Sequence, residues 1–129
     1  MKKLTLLVTL IFIVMFSPTS FSDWTKTSVN HHATFYVDLS TIKKVDGYIF
    51  YSELGDLYRP IGNSYLSVKS YNQGDCALLR RKTLKHNYYK EPMGGGVGDL
   101  SEPTNPGWVS LSPNATSKKL LELVCAYKK

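Results

Sequence analysis

Hydrophobic and polar residues alternate through most of positions 23–90, and this period of two is typical of half-buried β-strands. The alternation predicts strands over 23–29, 33–38 and 48–57, followed by two long strands within 65–90. Residues 39–44 are predicted to form one tight turn, Asp46-Gly47 is a hairpin signal, and the two long strands should meet at a turn over 72–75. Strong alternation favours an antiparallel sheet with one exposed face.

A different period marks the C-terminal segment, where apolar residues recur at helical spacing. Four residues at i, i+3, i+4 and i+7 form the apolar face of a predicted helix: Leu120, Leu123, Val124 and Tyr127. Ser112 before Pro113 is a helix start signal, and Asn114 and Ser117 are alternative caps. We expect this helix to lie on one face of the sheet, because its apolar stripe must be buried.

Residues 91–107 separate the last long strand from the end of the chain and are rich in glycine and proline. This composition predicts a mobile loop without regular structure. The Gly-Gly-Gly-Val-Gly motif within it lacks the strand, helix and lysine that flank a phosphate-binding loop. A short closing strand is predicted over 108–111.

The first 22 residues have the three parts of a secretory signal peptide: Lys2 and Lys3, an apolar run over 4–16 and a small polar exit. The apolar run is too short to span a bilayer, so we expect cleavage after Ser22 and no stable membrane insertion. Residues 23–129 are then expected to form a single domain. They carry 14 basic and 10 acidic residues, a net charge of +4 that is too mild to indicate nucleic-acid binding.

The chain contains two cysteines, Cys76 and Cys125. In an exported protein two cysteines are most simply a disulfide, because neither has a nearby histidine or a recognisable set of metal ligands. The bond would close a loop of about 50 residues and contribute roughly 4 kcal/mol in the chain-entropy model. The predicted fold class is therefore α+β: a twisted antiparallel sheet of about five or six strands, a C-terminal helix packed on it, and one disulfide.

The densest positive charge lies in the last long strand, with two tyrosines beside it. The candidate partner-binding residues are Arg80, Arg81, Lys82, Lys85, Tyr88, Tyr89 and Lys90. Alternation puts Arg80 and Lys82 on one face of the strand, and Arg81 and Lys85 on the other. One side is still able to contact an acidic protein loop, a sulfated glycan or a lipopolysaccharide head group. Alternatively, the charges only protect a solvated edge strand against aggregation.

Residues for metal or acid–base chemistry do not form a recognisable set. His31 and His32 point to opposite sides of an extended chain, and a metal site would need His86 as a third ligand. The ten acidic residues are scattered, and no nucleophile or zinc motif is present. We therefore predict no enzyme, no metal and no cofactor. The alternative function is a periplasmic accessory protein that binds an envelope component or a small ligand such as haem.

An ordered set of short motifs spans nearly the whole mature chain: Trp24; Phe35-Tyr36-Val37-Asp38 with Ser40 and Ile42; Asp75-Cys76; Tyr88-Tyr89; Trp108; Ser112-Pro113; and Val124-Cys125. In these motifs the chain resembles the surface-adhesin protein E family of Gram-negative bacteria. The resemblance implies a small antiparallel sheet linked to a C-terminal helix by the cysteine pair. It also implies a binding module for host extracellular-matrix or serum proteins, such as vitronectin and laminin. A homodimer is left open.

Localisation follows from the same resemblance. A surface adhesin of this type is expected to carry a lipid on a cysteine at the cleavage site, and none is present near Ser22. We therefore expect a periplasmic or secreted protein, and display on the cell surface is left open.

Overall fold

The computed structural model of the protein describes residues 23–128. The predicted signal peptide over 1–22 lies outside these residues. The strands are β1 Trp24–Val29, β2 Ala33–Asp38, β3 Lys43–Val45, β4 Tyr48–Ile61, β5 Tyr65–Asp75, β6 Arg80–Tyr89, β7 Asp99–Ser101 and β8 Val109–Ser110, and the helix is α1 Thr116–Ala126. Single 3-10 turns cover Leu39–Thr41 and Pro92–Gly94. Among the residues described, no helix has the length and apolar character needed to cross a membrane.

All eight strands pair antiparallel in one sheet, in the order β1-β2-β4-β5-β6-β7, with β3 beside β4 and β8 beside β6. The predicted fold class, an antiparallel sheet with a C-terminal helix and a disulfide, is confirmed. The sheet has more strands than the five or six expected because β3 and β7 were not predicted. Each is only three residues long, which is too short to display an alternating pattern.

The hairpin predicted at Asp46-Gly47 forms. Asp46 and Gly47 both have positive φ angles, 51° and 82°, as a type I′ turn requires, and they join β3 to β4. The single tight turn predicted over 39–44 is wrong in its second half, because β3 begins at Lys43.

The second predicted turn, over 72–75, is wrong because β5 continues through Asp75 and the turn occupies 76–79. Asn72 and Gly74 are buried within the sheet. The Asp75 carboxylate accepts hydrogen bonds from the N–H groups of Ala77 and Leu78, at 3.1 and 3.2 Å. Asp75 therefore ends the strand by bonding the backbone of the turn that follows it.

The hydrophobic core lies between α1 and one face of the sheet, which we call the helix face. Its buried residues are Val37, Ile42, Ile49, Tyr51, Leu120, Leu121 and Val124. Leu120 and Val124 are buried as predicted, and Tyr127 packs against the core. Leu123 is instead 42% exposed, and Leu121 takes its place.

Gly74 explains why the buried stripe includes Leu121. A Cβ atom added at Gly74 would lie 2.5 Å from Leu121 Cδ1 and 3.0 Å from Ile49 Cγ2. The absence of a side chain at this position lets α1 approach the sheet closely along the side that carries Leu121. The helix begins at Thr116, later than the Ser112-Pro113 signal predicts. Ala115 occupies the N-cap without a side-chain hydrogen bond, so the caps predicted at Ser112, Asn114 and Ser117 are wrong.

The disulfide forms as predicted. Cys76 lies in the turn after β5 and Cys125 in the last turn of α1, 49 residues later in the chain, with 5.9 Å between their Cα atoms. The bond therefore ties the end of the helix to a turn of the sheet.

The opposite face of the sheet, which we call the open face, is covered by segment 91–94 at one end. The Ser67 hydroxyl donates to the Glu91 carbonyl at 2.7 Å and accepts from the Gly94 N–H at 2.8 Å. Asp56 accepts from the Met93 N–H at 2.9 Å. The prediction of irregular structure is wrong for the 3-10 turn and for β7, which both lie within 91–107. Mobility of this segment stays a prediction.

Candidate functional site

A β-bulge in β6 decides which basic residues share a face. Tyr71 of β5 pairs with Lys85, but the next residue, Asn72, pairs with Thr83, so Leu84 is an extra residue in β6. Because cross-strand partners lie on one face, the bulge puts Lys85 on the open face with Arg80 and Lys82. The predicted separation of Lys85 from these two residues is therefore wrong.

Arg81 alone among these cations points to the helix face. Its Nη1 lies 3.0 Å from Oε2 of Glu53, which also accepts a hydrogen bond from Asn72 at 3.2 Å. The side chains of Arg81 and Glu53 are 26% and 11% exposed. Burial raises the pKa of Glu53 above its ordinary value, although the charge of Arg81 opposes the shift. Arg81 thus neutralises a buried carboxylate and is not free to bind a partner.

Arg80 and Lys82 lie over the ring of Trp108. The Arg80 guanidinium carbon is 4.5 Å and the Lys82 Nζ 4.6 Å from the ring centroid, and Tyr48 stacks on the same ring at 5.5 Å. Both distances fall within cation–π range. We call Tyr48, Arg80, Lys82 and Trp108 the Trp108 cluster. It lies on the open face, at the end remote from segment 91–94.

Asp75 holds Arg80 in this cluster. Its Oδ2 lies 3.0 Å from the Arg80 Nε. Burial alone would raise the pKa of Asp75, but hydrogen bonds from Leu78, Arg80 and Ala77 outweigh this effect and lower the pKa below its ordinary value. Asp75 therefore stays ionised near neutral pH and orients the guanidinium.

A cleft of about 480 Å³ opens in the middle of the open face, beside the Trp108 cluster. Its lining residues are Ser40, Thr41, Lys43, Ser52, Lys69, Tyr71, Lys85 and Asn87. Lys85 Nζ lies 5.6 Å from the Tyr71 ring centroid, and the Phe50 ring stacks with that of Tyr71 at 6.2 Å. The cleft therefore combines ammonium groups, hydroxyl groups and one aromatic ring.

The predicted tyrosines do not join these groups. Tyr88 packs against Tyr65 and His86, with ring centroids 5.3 and 5.8 Å away. Tyr89 lies under Gly98, where an added Cβ would be 2.8 Å from its ring. Both are about 25 Å along β6 from Arg80, at 3.3 Å per residue. Lys90 is exposed just beyond the strand. The predicted binding surface therefore divides between the two ends of β6.

The three histidines are not brought together. His31 and His32 are exposed before β2, next to the far end of β4, whereas His86 lies in β6 with its Nδ1 2.8 Å from the Ser70 hydroxyl. Burial, and secondarily the charge of Arg81, lowers the pKa of His86. Within residues 23–128, no group of three or more His, Cys, Asp or Glu side chains is placed to hold a metal ion.

Sequence reasoning missed Tyr48, Lys43 and Lys69 as site residues, and it gave Trp108 no binding role, placing it in a short strand and among the motifs of the resemblance. No local motif marks them, because they come from separate strands that meet only through the pairing of the sheet. The signal that was available is Trp108 itself, since a tryptophan after a polar loop is a common anchor of binding surfaces.

A sequence comparison and a structure comparison with known proteins both identify the same protein family. The sequence model described as surface-adhesin protein E matches residues 24–126. The fold is similar to crystal form II of Haemophilus influenzae protein E, with a TM-score of 0.63 and 19% identity over 85% of this chain and 92% of the other. A second structure, of protein E from non-typeable Haemophilus influenzae, gives a TM-score of 0.63 and 18% identity over 85% and 80% of the two chains. No curated protein matches the chain.

Proposed function

Because the chain belongs to the surface-adhesin protein E family, we propose that it is an exported, non-enzymatic module that binds host extracellular-matrix or serum proteins. Vitronectin and laminin are the first partners to test. The Trp108 cluster supports this proposal, because it places a tryptophan, a tyrosine and an arginine side by side on a sheet face that α1 leaves uncovered. These are the three residue types that contribute most often to binding energy at protein interfaces.

The geometry of the cluster favours a protein partner. Trp108 stacks on Tyr48 and contacts the cations of Arg80 and Lys82, so its ring is already ordered before binding. An ordered anchor loses little side-chain entropy when a partner docks. The Lys82 ammonium would attract an acidic segment of that partner and set its orientation, whereas the charge of Arg80 is balanced by Asp75.

Of the residues predicted from sequence, we retain Arg80 and Lys82 in the protein contact surface, and Lys85 lines the neighbouring cleft. Arg81 is assigned to the fold because it pairs with Glu53. Tyr88, Tyr89 and Lys90 form a separate region at the far end of β6 and have no part in the proposed contact.

We expect the variant R80Q/K82Q/W108A to bind its partner at least about 30-fold more weakly than the wild-type protein, because it removes two cations and the central anchor. The measurement is label-free sensing of purified protein against vitronectin and laminin across a salt series. The matched control R59Q/K119Q/Y58A removes the same charge and one aromatic ring from exposed positions elsewhere. Binding of the control should stay within about twofold of wild type.

Two results would contradict the proposal. If the wild-type protein binds neither partner at micromolar concentration, host-protein adhesion is wrong for this chain. If it binds and both triple variants bind equally well, the Trp108 cluster is not the contact surface.

A further inference from the structure

The cleft on the open face carries a charge pattern that a protein contact at the Trp108 cluster does not use. The eight described residues that line it include three lysines, Lys43, Lys69 and Lys85, and no carboxylate. The nearby Asp38 is hydrogen-bonded to Ser40, one of the lining residues. It is only 5% exposed, and its Oδ1 already accepts from the N–H and the hydroxyl of Ser40. The cleft therefore presents a net positive surface to solvent.

The three lysines come from different strands, which sets the size of ligand they would fit. Lys43 lies in β3, Lys69 in β5 and Lys85 in β6, with β4 between β3 and β5. At about 4.8 Å between neighbouring strands, β3 and β6 are about 14 Å apart. Lysine side chains are long enough to shorten this separation, but a single phosphate or sulfate would have to draw all three ammonium groups to one point against their mutual repulsion. An extended chain with several negative groups can contact all three lysines at once.

The uncharged side chains that line the cleft indicate that the ligand is a sugar. Ser40, Thr41 and Ser52 supply hydroxyl groups, and Asn87 supplies an amide, all of which can bond sugar hydroxyls. Tyr71 is the one aromatic ring among the lining residues, with the Phe50 ring 6.2 Å and the Lys85 Nζ 5.6 Å from its centroid. A groove for single-stranded nucleic acid would instead need successive rings on which bases stack. One ring among hydroxyl and amide groups suits a saccharide better.

From this geometry we propose that the cleft is a binding site for a sulfated glycan chain. The sulfates contact Lys43, Lys69 and Lys85, and one sugar ring lies near Tyr71. The choice of a host glycan, rather than a polyanion of the cell's own envelope, rests on the proposed function as an adhesin. The site itself is separate from the Trp108 cluster, so the protein can bind a glycan and a protein on neighbouring parts of the open face.

The test uses heparin as the probe, with desulfated heparin, lipopolysaccharide and a single-stranded thymidine oligonucleotide as comparison ligands. We expect saturable binding of heparin that weakens as salt rises, because the contacts are ionic and partly exposed. The variant K43Q/K69Q/K85Q should bind heparin at least about tenfold more weakly. N87D, which adds one negative charge with almost no change of shape, should also weaken binding.

The control R59Q/K119Q/K128Q removes three positive charges from exposed positions outside the cleft and should bind heparin within about twofold of wild type. The variant R80Q/K82Q/W108A should keep most of its heparin binding, which separates this proposal from the protein-binding one. If K43Q/K69Q/K85Q and R59Q/K119Q/K128Q lose heparin affinity equally, the effect of charge is nonspecific and the proposal is wrong. Tighter binding of lipopolysaccharide or the oligonucleotide, or no binding of heparin, would overturn it as well.

Discussion

Replacing Cys76 and Cys125 together by alanine is expected to lower the free energy of unfolding by about 4 kcal/mol. The bond spans 49 residues of sequence, and opening a loop of this size restores a large conformational entropy to the unfolded chain. For a domain of about 100 residues this corresponds to a fall in melting temperature of roughly 15 to 25 °C.

Loss of the disulfide should destabilise α1 more than any strand of the sheet. α1 has 11 residues and no side-chain cap at its N-terminus, and isolated helices of this length are marginal in water. It is held by Leu120, Leu121 and Val124 at the core and by Cys125 at its end. Loss of the bond should therefore release the helix before the sheet.

Chemical unfolding followed by circular dichroism provides the measurement. Wild-type protein kept in reductant is the matched control, because it loses the bond without any change of sequence, and it should unfold with the double variant. A loss below about 1 kcal/mol in both samples would show that the disulfide does not stabilise this fold as the entropy argument requires.

Replacing Arg81 by glutamine is expected to cost about 3 kcal/mol of stability, although Lys82 and Lys85 on the same strand should cost far less. The substitution leaves the Glu53 carboxylate buried beside Tyr51 without its cation, and an unpaired buried charge is strongly destabilising. We place the value at the lower end of the usual range because the Arg81 side chain is 26% exposed and partly screened.

A comparison of variants isolates this pair. E53Q/R81Q removes both charges and should recover about half of the loss or more, since no unpaired charge remains. K82Q/K85Q removes two cations from the same strand, on the open face, neither of which forms an ion pair with a carboxylate among the described residues, and should change the free energy of unfolding by less than about 1 kcal/mol. If K82Q/K85Q destabilises the protein as much as R81Q, the assignment of Arg81 to the fold and of these two lysines to the surface is wrong.

The distinction affects how binding experiments are read. A variant in which Arg80, Arg81, Lys82 and Lys85 are all removed would lose binding through unfolding as well as through its surface. Leaving Arg81 intact avoids this loss of stability, and the free energy of unfolding of each binding variant shows whether the Arg80–Asp75 pair adds another.

Much of the architecture follows from local patterns. The alternation over 33–38 marks β2 to the residue, Asp46-Gly47 makes the hairpin, and the cysteine pair links helix to sheet. These features depend on near neighbours in sequence or on the simple count of cysteines, so they can be inferred without knowledge of the fold.

The features that were not predicted depend on contacts between distant segments. Nothing in the run from Arg80 to Lys85 signals that Leu84 is bulged, because the bulge is a property of its pairing with β5. Gly74 resembles a turn residue in sequence, but it is buried because α1 needs a close approach at Leu121. The candidate site has the same origin, since its cations and rings come from separate strands.

Lysine footprinting tests the central claim, that the open face is the binding face, most directly. Acetylation of surface amines would be measured by mass spectrometry with and without bound vitronectin, laminin or heparin. We predict protection of Lys82 by the protein partners and of Lys43, Lys69 and Lys85 by heparin, all on the open face, and unchanged labelling of Lys44, Lys118 and Lys119 elsewhere. Protection of the lysines of α1, with the open-face lysines labelled as in the free protein, would contradict the account.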